Sequence, residues 1–245
     1  MLTRKRLVKA AEKVAGRCWL SMQSRLMSSA PYECTACGAL VAGFFKYGSP
    51  NWGCPFCDAS PRERLVNFCL TQGILRVPPG GKILHIAPSE HSLVRRFSEI
   101  GSPTFGDINP GRYPTLPVEY VDLTDMERLD LFDVCYISHV LEHVPDDGLA
   151  IREIYKHLRP GGQAWIIVPL HSAPTVDGPH LSPRERERLF GQWDHVRQYG
   201  ADFSNRLQSA GFEIEMIDAS QIASTAVTRH GLSPEDKIFI GSRKM

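Results

Sequence analysis

The sequence predicts an α/β protein: a seven-stranded, mostly parallel sheet flanked by helices, preceded by a small cysteine-bearing segment and an N-terminal amphipathic helix. Three observations carry this expectation. From about residue 80 onward, short apolar runs alternate with amphipathic stretches, the pattern of a parallel sheet wrapped by helices. Four cysteines are crowded into residues 34–57, and apolar residues recur at helical spacing through the strongly basic first 26 residues. The 245-residue chain is 42% apolar and 22% charged, so it buries a substantial core and is neither a disordered tail nor a coiled-coil rod. Its 28 basic and 27 acidic side chains nearly cancel, so total charge gives no general attraction to nucleic acid. No apolar run of eighteen residues is present to span a bilayer.

The positive charge is concentrated in the leader. Residues 1–30 carry seven basic side chains against Glu12 alone, with Leu7, Ala11, Val14, Cys18 and Met22 forming an apolar stripe. Lys9, Glu12, Lys13 and Arg17 interrupt every apolar run that a secretory signal would need. The expected leader is a basic amphipathic helix docked on the main body, with contact to a membrane surface or polyanion, or an organelle transit peptide, as the alternatives. A cytoplasmic location, with membrane-surface association as an option, follows from this reading.

Residues 31–62 contain Cys34-x2-Cys37, sixteen intervening residues, then Cys54-x2-Cys57. Two residues between thiols let both sulfurs of a turn point at one ion, and four soft thiolates favour zinc over its competitor iron. Cys34, Cys37, Cys54 and Cys57 are therefore the expected ligands of a structural Zn2+ that leaves no open position; two disulfides are the alternative. Between the pairs, Phe44, Phe45, Lys46, Tyr47 and Trp52 form an aromatic-basic cluster that either packs or stacks on bases. Cys18, Cys69 and Cys135 stand in apolar surroundings and read as small buried hydrophobes.

Residues 63–245 make the large domain. A helical stretch at residues 62–75 precedes strand candidates at 82–86, 103–105, 119–121, 134–137, 164–168, 213–217 and 237–240. A helix over 146–158 has Asp146 and Asp147 as start signals and Pro160-Gly161-Gly162 as a stop, with His157 expected at the surface. In such sheets ligands bind beyond the strand carboxyl ends where strand order reverses, which singles out Ala87–Glu90, Gly106–Asn109, Asp122–Thr124 and Ser138–His143.

Phe132-Asp133-Val134, then His139-Val140-Leu141-Glu142-His143-Val144-Pro145-Asp146, Leu158-Arg159-Pro160-Gly161-Gly162 and Val168-Pro169, resemble the class I S-adenosylmethionine-dependent methyltransferases of the type 11 group. The resemblance covers about residues 80–220. The run Phe190 to Gly200, with Asp202-Phe203 and Ala210-Gly211-Phe212, is similar to a bacterial subgroup that also carries an N-terminal four-cysteine, zinc-ribbon-like segment. It implies a Rossmann-like fold with S-adenosyl-L-methionine as cofactor. Asp107 would then accept from the ribose hydroxyls and Asp122 from the adenine amino group, with Ile108 and Leu123 lining the adenine and His139 beside the cofactor. Where the family has a glycine-rich turn, this chain reads Ile86-Ala87-Pro88-Ser89-Glu90. Either Ser89 or Glu90 contacts the cofactor's amino group, or the pocket is degraded.

Methyl transfer is an in-line displacement at an activated carbon, so alignment is the main demand. A hydroxyl acceptor also needs a base, and His139 and His195 are the candidates, with Glu142 and His143 orienting the loop. The long segment from His171 to Tyr199 suits acceptor recognition, through Asp194, His195, Arg197 and Tyr199. A small-molecule or glycan acceptor is expected; RNA read by the zinc segment, and a non-catalytic interaction module, are the alternatives.

Overall fold

The structure, a computed structural model, describes residues 4–47 and 49–245; residues 1–3 of the expected leader helix lie outside the described residues. Along the chain run α1 (Arg4–Leu26), β1 (Tyr32–Glu33), β2 (Leu40–Val41), β3 (Phe45–Tyr47), β4 (Ser49–Gly53), α2 (Pro61–Thr71), β5 (Lys82–Ile86), α3 (His91–Ile100), β6 (Ser102–Asp107) and β7 (Val118–Tyr120). There follow β8 (Phe132–Ser138), α4 (Asp147–Lys156), β9 (Leu158–Ile167), β10 (Val176–Asp177), α5 (Pro183–Phe190), β11 (Arg197–Gln198), α6 (Phe203–Ser209), β12 (Glu213–Asp218), α7 (Ser224–His230) and β13 (Lys237–Ser242). The chain divides into two compact units. The first comprises the chain up to Arg76 together with Glu90–Arg96 and Asp218–Asp236; the second comprises Val77–Ser89, Phe97–Ile217 and Lys237–Met245.

The first unit is built on two copies of one turn. Cys34 donates its N–H to Ala39 O (2.9 Å) and Gly38 to Cys34 O (2.7 Å); Cys54 donates to Ala59 O (3.1 Å) and Asp58 to Cys54 O (2.9 Å). Each turn requires a left-handed residue after its second cysteine, supplied by Gly38 (φ 71°) in one and by Asp58 (φ 66°) in the other. Helix α1 packs on this framework with a face the sequence did not indicate. Lys13 Nζ reaches Asp58 (2.8 Å), Arg17 donates to Pro55 O (3.0 Å) and Phe56 O (3.1 Å), and Ala42 N–H donates to Ser24 Oγ (2.8 Å). Ala11, Val14, Cys18 and Met22 of the expected apolar stripe are exposed, and the side chain of its first member, Leu7, lies outside those described. Carbonyls and a carboxylate in the turns need donors, so cationic stems turn inward and the apolar side is left outside. Cys18 is accordingly not the buried hydrophobe expected, whereas Cys69 and Cys135 are fully buried.

Helix α2 begins in a capping box, Ser60 with Glu63, and carries the hub of the unit. Arg64 has no exposed surface and donates to the carbonyls of Asn51 (2.6 Å), Trp52 (3.4 Å), Ala59 (2.5 Å), His230 (2.9 Å) and Gly231 (2.5 Å). Its guanidinium also lies 3.9 Å from the centre of the Phe44 ring.

The second unit holds the sheet, in the order β12-β13-β9-β8-β5-β6-β7. Strands β7, β6, β5, β8 and β9 run parallel to one another, and β13 runs antiparallel to β9. All seven expected strands are present, with boundaries shifted by a few residues. Leu84 and Ile86, Cys135 and Ile137, and Ala164 and Ile166 bury one face under α4 and α6, through Ala150, Ile151, Ile154, Phe203 and Leu207. On the opposite face His85, Tyr136 and Trp165 meet Phe97 of α3. Both faces are covered, as parallel strands require.

Helix α4 starts where expected, with Asp146 Oδ1 accepting from Leu149 N–H (2.8 Å), but ends at Lys156. Leu158 already pairs with Phe132, so Pro160-Gly161-Gly162 forms a bulge in β9 rather than a helix stop. His157 is correspondingly buried, its Nδ1 2.9 Å from Glu153 O, and is not the surface residue expected.

Candidate active site and metal centre

The chain runs β5, β6, β7 outward on one side of the sheet and returns to lay β8 on the other side of β5. A crevice is expected at this reversal, beyond the carboxyl ends of β5 and β8. The residue immediately after each of these strands, Ala87 and His139, has φ 52°. A left-handed conformation costs a non-glycine residue about 1–2 kcal/mol. Both are pinned by the next strand: Ala87 donates its N–H to Gly106 O (2.8 Å) and His139 to Ile167 O (2.9 Å). The loop after β5 therefore has the backbone turn of a glycine at Ala87, with only a methyl projecting. Ile86 and Pro88 are buried and Ser89 is exposed. Glu90 falls in the first unit, where it pairs with Arg62 (2.8 Å).

Asp107 ends β6 almost fully buried, with Oδ1 accepting from Asn109 N–H (2.7 Å) and Oδ2 from the Tyr113 hydroxyl (2.7 Å). Burial and this carboxylate together push the Tyr113 phenol well above its ordinary pKa, keeping it a donor. An ionised carboxylate has about four lone-pair sites, so two bonds leave room for a ligand's hydroxyls. Asp122 Oδ1 takes both the N–H (2.8 Å) and hydroxyl (2.7 Å) of Thr124. Ile108 is 64% exposed and free to cover a flat ligand, whereas Leu123 belongs to the core.

The β8 loop gathers the ionisable groups. His139 Nδ1 lies 3.3 Å from Glu142 Oε1, and His143 Nδ1 lies 3.3 Å from Asp194 O and 3.6 Å from its Oδ2. The rings of His143 and His195 meet edge-to-face at 4.7 Å. Burial and the neighbouring His143 lower the pKa of His195, favouring a neutral imidazole. Glu142 is completely buried, and neither carboxylate oxygen has a hydrogen-bond partner.

Arg197 and Tyr199 are engaged within the fold. Arg197 is 2% exposed; it donates to Leu141 O (2.7 Å), Val144 O and Pro145 O (2.8 Å), and pairs with Asp177 (3.0 Å) and Asp147 (3.4 Å). The Tyr199 hydroxyl donates to Asp147 (2.7 Å), which Arg206 also contacts (3.0 Å). These side chains hold the β8 loop and the β10–β11 pair in place, and with four of the five Arg197 N–H groups and the Tyr199 hydroxyl bonded inside the fold, both are buried away from an acceptor. Asp194 and His195, a few residues earlier in the chain, stand beside His143.

In the first unit the four expected thiols come together. Cys34 and Cys57 sulfurs are 3.7 Å apart, Cys37 and Cys54 sulfurs 3.8 Å. A disulfide would need about 2.05 Å. Four sulfurs at about 2.3 Å from one zinc lie about 3.8 Å apart along the tetrahedron's edges, so the set fits a single Zn2+. Phe44 and Phe45 are buried, so only Lys46 and Tyr47, with half-buried Trp52, remain of the aromatic-basic cluster at the surface.

Residues 107–217 match a methyltransferase domain family. Over this stretch the chain is similar to that family. Its fold is also that of three solved structures. An S-adenosylmethionine-dependent methyltransferase from Archaeoglobus fulgidus is 15% identical over 73% of this chain and 93% of its own, with a TM-score of 0.52. One from Mesorhizobium loti is 18% identical over 71% and 96%, with a TM-score of 0.50. A chain of the Haloferax volcanii complex between a methyltransferase and its activator is 13% identical over 72% and 89%, with a TM-score of 0.50. No curated protein matches the sequence. Among the described residues no helix is long and apolar enough to cross a membrane.

Tyr113 was not singled out from the sequence, although it stands six residues beyond Asp107. Asp177 and Arg206 were likewise missed, and Asp147 was read only as a helix start, because nothing local marks the three as one network.

Proposed function

We propose that this methyltransferase domain binds S-adenosylmethionine beyond the carboxyl ends of β5, β6 and β7 and methylates a small molecule or glycan. The observation that carries the reading is the pair of left-handed residues, Ala87 and His139, flanking the reversal of strand order beside a buried Asp107 carboxylate. Strained backbone anchored on both sides of a crevice is where a built ligand site is found. Asp107 would hold the ribose diol and Asp122 the adenine amino group, with Ile108 over the base and Ser89 beside the amino acid portion. The cofactor supplies a methyl group on a sulfonium, so the chain's own task is alignment and removal of a proton. His139 and His195 are the proposed bases. His195, buried and held neutral, suits proton acceptance near pH 7. Asp194 would help place the acceptor. An RNA acceptor would instead use Lys46, Tyr47 and Trp52, and binding would weaken steeply with salt.

The test is calorimetric titration of zinc-loaded protein with S-adenosylhomocysteine, beside an Asp107→Ala/Asp122→Ala double variant. Binding by wild type, lost in the folded variant, supports the reading. Folded wild type that binds none of it points to a non-catalytic module.

A further inference from the structure

We infer that Glu142, His143 and His195 form a second, open metal site, which takes a divalent first-row cation and through it an oxygen of the methyl acceptor. The three residues offer one carboxylate oxygen and two imidazole nitrogens, all within 4.8 Å of one another. Donors around one ion at about 2.1 Å stand roughly 3–4 Å apart, so the set has to close by about 1 Å on binding.

The carboxylate supplies the second, independent observation. Glu142 has no exposed surface and neither oxygen accepts a hydrogen bond. Its nearest cationic prospect is His139 Nδ1 at 3.3 Å, half-exposed and on its own loop. Burying a carboxylate this way is costly unless a cation meets it. From the other side Asp194 packs against His143, its Oδ2 3.6 Å from Nδ1 and its Oδ1 buried without a hydrogen-bond partner. A carboxylate behind an imidazole is the arrangement that orients a histidine toward a metal.

Two imidazoles and one carboxylate suit a divalent first-row cation, Co2+ or Zn2+ and more weakly Mn2+, better than Ca2+ or Mg2+, which want oxygen shells. Three protein ligands leave positions open, unlike the closed four-cysteine set. Two of the ligands sit on the loop that leaves β8 at the reversal of strand order, and a cation there lowers the pKa of a coordinated hydroxyl, whose proton then falls to His139 because a metal-bound His195 no longer serves as base. The acceptor class is therefore a molecule with a hydroxyl group, a part of the inference that rests on the proposed methyltransferase function.

The experiment uses full-length, zinc-loaded protein and follows free Mn2+ by electron paramagnetic resonance. One Mn2+ per chain is expected in addition to zinc, with affinity falling at least about tenfold in Glu142→Gln and in His195→Asn. Wild type titrated with Co2+ should show absorption of nitrogen- and oxygen-ligated cobalt without thiolate charge transfer, a readout that needs no variant. S-adenosylhomocysteine is titrated in parallel, and folded Glu142→Gln should bind it as wild type does. No second ion, or Mn2+ binding unchanged in both folded variants, overturns the metal site even if wild type binds S-adenosylhomocysteine. Mn2+ bound where S-adenosylhomocysteine is not would uphold the site and sink the methyltransferase reading of it.

Discussion

The four-cysteine knot and the Glu142–His143–His195 cluster each bring ligand atoms within 4.8 Å of one another, yet they are built in opposite ways. In the knot each pair of thiols comes from one short turn, and the same hydrogen bonds recur in both turns. In the cluster two ligands come from the β8 loop and the third lies 52 residues beyond His143, across α4, β9, β10 and α5. The knot is a closed set of four thiols at the centre of a small core of its own, with Val41 and Phe44 packed beside it; the cluster keeps a carboxylate without hydrogen bonds inside the larger unit. One site stabilises the fold, and the other is carried by it.

The largest effect that can break this contrast is removal of zinc. Chelation, or Cys37→Ser, should unfold the first unit, since structural zinc contributes on the order of 10 kcal/mol to small domains; limited proteolysis would register it. A first unit that stays resistant without metal would end the distinction. Next comes the brace of the cluster. Arg197→Met leaves Asp147 short of a partner and three carbonyls of the β8 loop without their donor, and should cost about 3–5 kcal/mol in denaturant unfolding while leaving zinc content unchanged.

A buried histidine outside either site provides the third comparison. His85 lies among Phe97, Phe105 and Tyr136 with neither ring nitrogen hydrogen-bonded, and burial pushes its pKa down to about 3. The unfolded chain takes up the proton near pH 6.5 and the folded chain does not, so stability is full above that pH and falls by about 1.4 kcal/mol per unit below it, until about pH 3. His85→Phe should flatten this acid limb in thermal melts; an unchanged limb would refute the assignment. The smallest effect belongs to Glu142. In protein without the second metal, Glu142→Gln should raise stability by about 1 kcal/mol, because a neutral amide is less costly to bury than a bare carboxylate. A loss of that size would mean that the carboxylate is structural.

The same contrast explains what could be read from the sequence. Cys34, Cys37, Cys54 and Cys57 were legible because spacing within a turn fixes their geometry, and Asp146 because a cap acts three residues away. Asp107 and Asp122 were singled out by their places beyond strand ends, and given their roles by the family resemblance. Tyr113 on Asp107, and Arg197 turned inward rather than toward an acceptor, depend on partners brought in by the tertiary fold. Lys13 and Arg17 facing the turns while Cys18 and Met22 face out reverses the usual rule for helices, since turns rich in bare carbonyls favour donors over methyl groups.

Arg64 has a consequence for how the protein is made. Its guanidinium ties Asn51, Trp52 and Ala59 to His230 and Gly231, which the ribosome adds more than 160 residues later. The cysteines emerge early and can capture zinc at once, but the buried cation beside them waits for its last two carbonyls until α7 is synthesised. Zinc capture would then serve as a holding step during translation, keeping the nascent N-terminal segment compact until the far end of the chain arrives to close it.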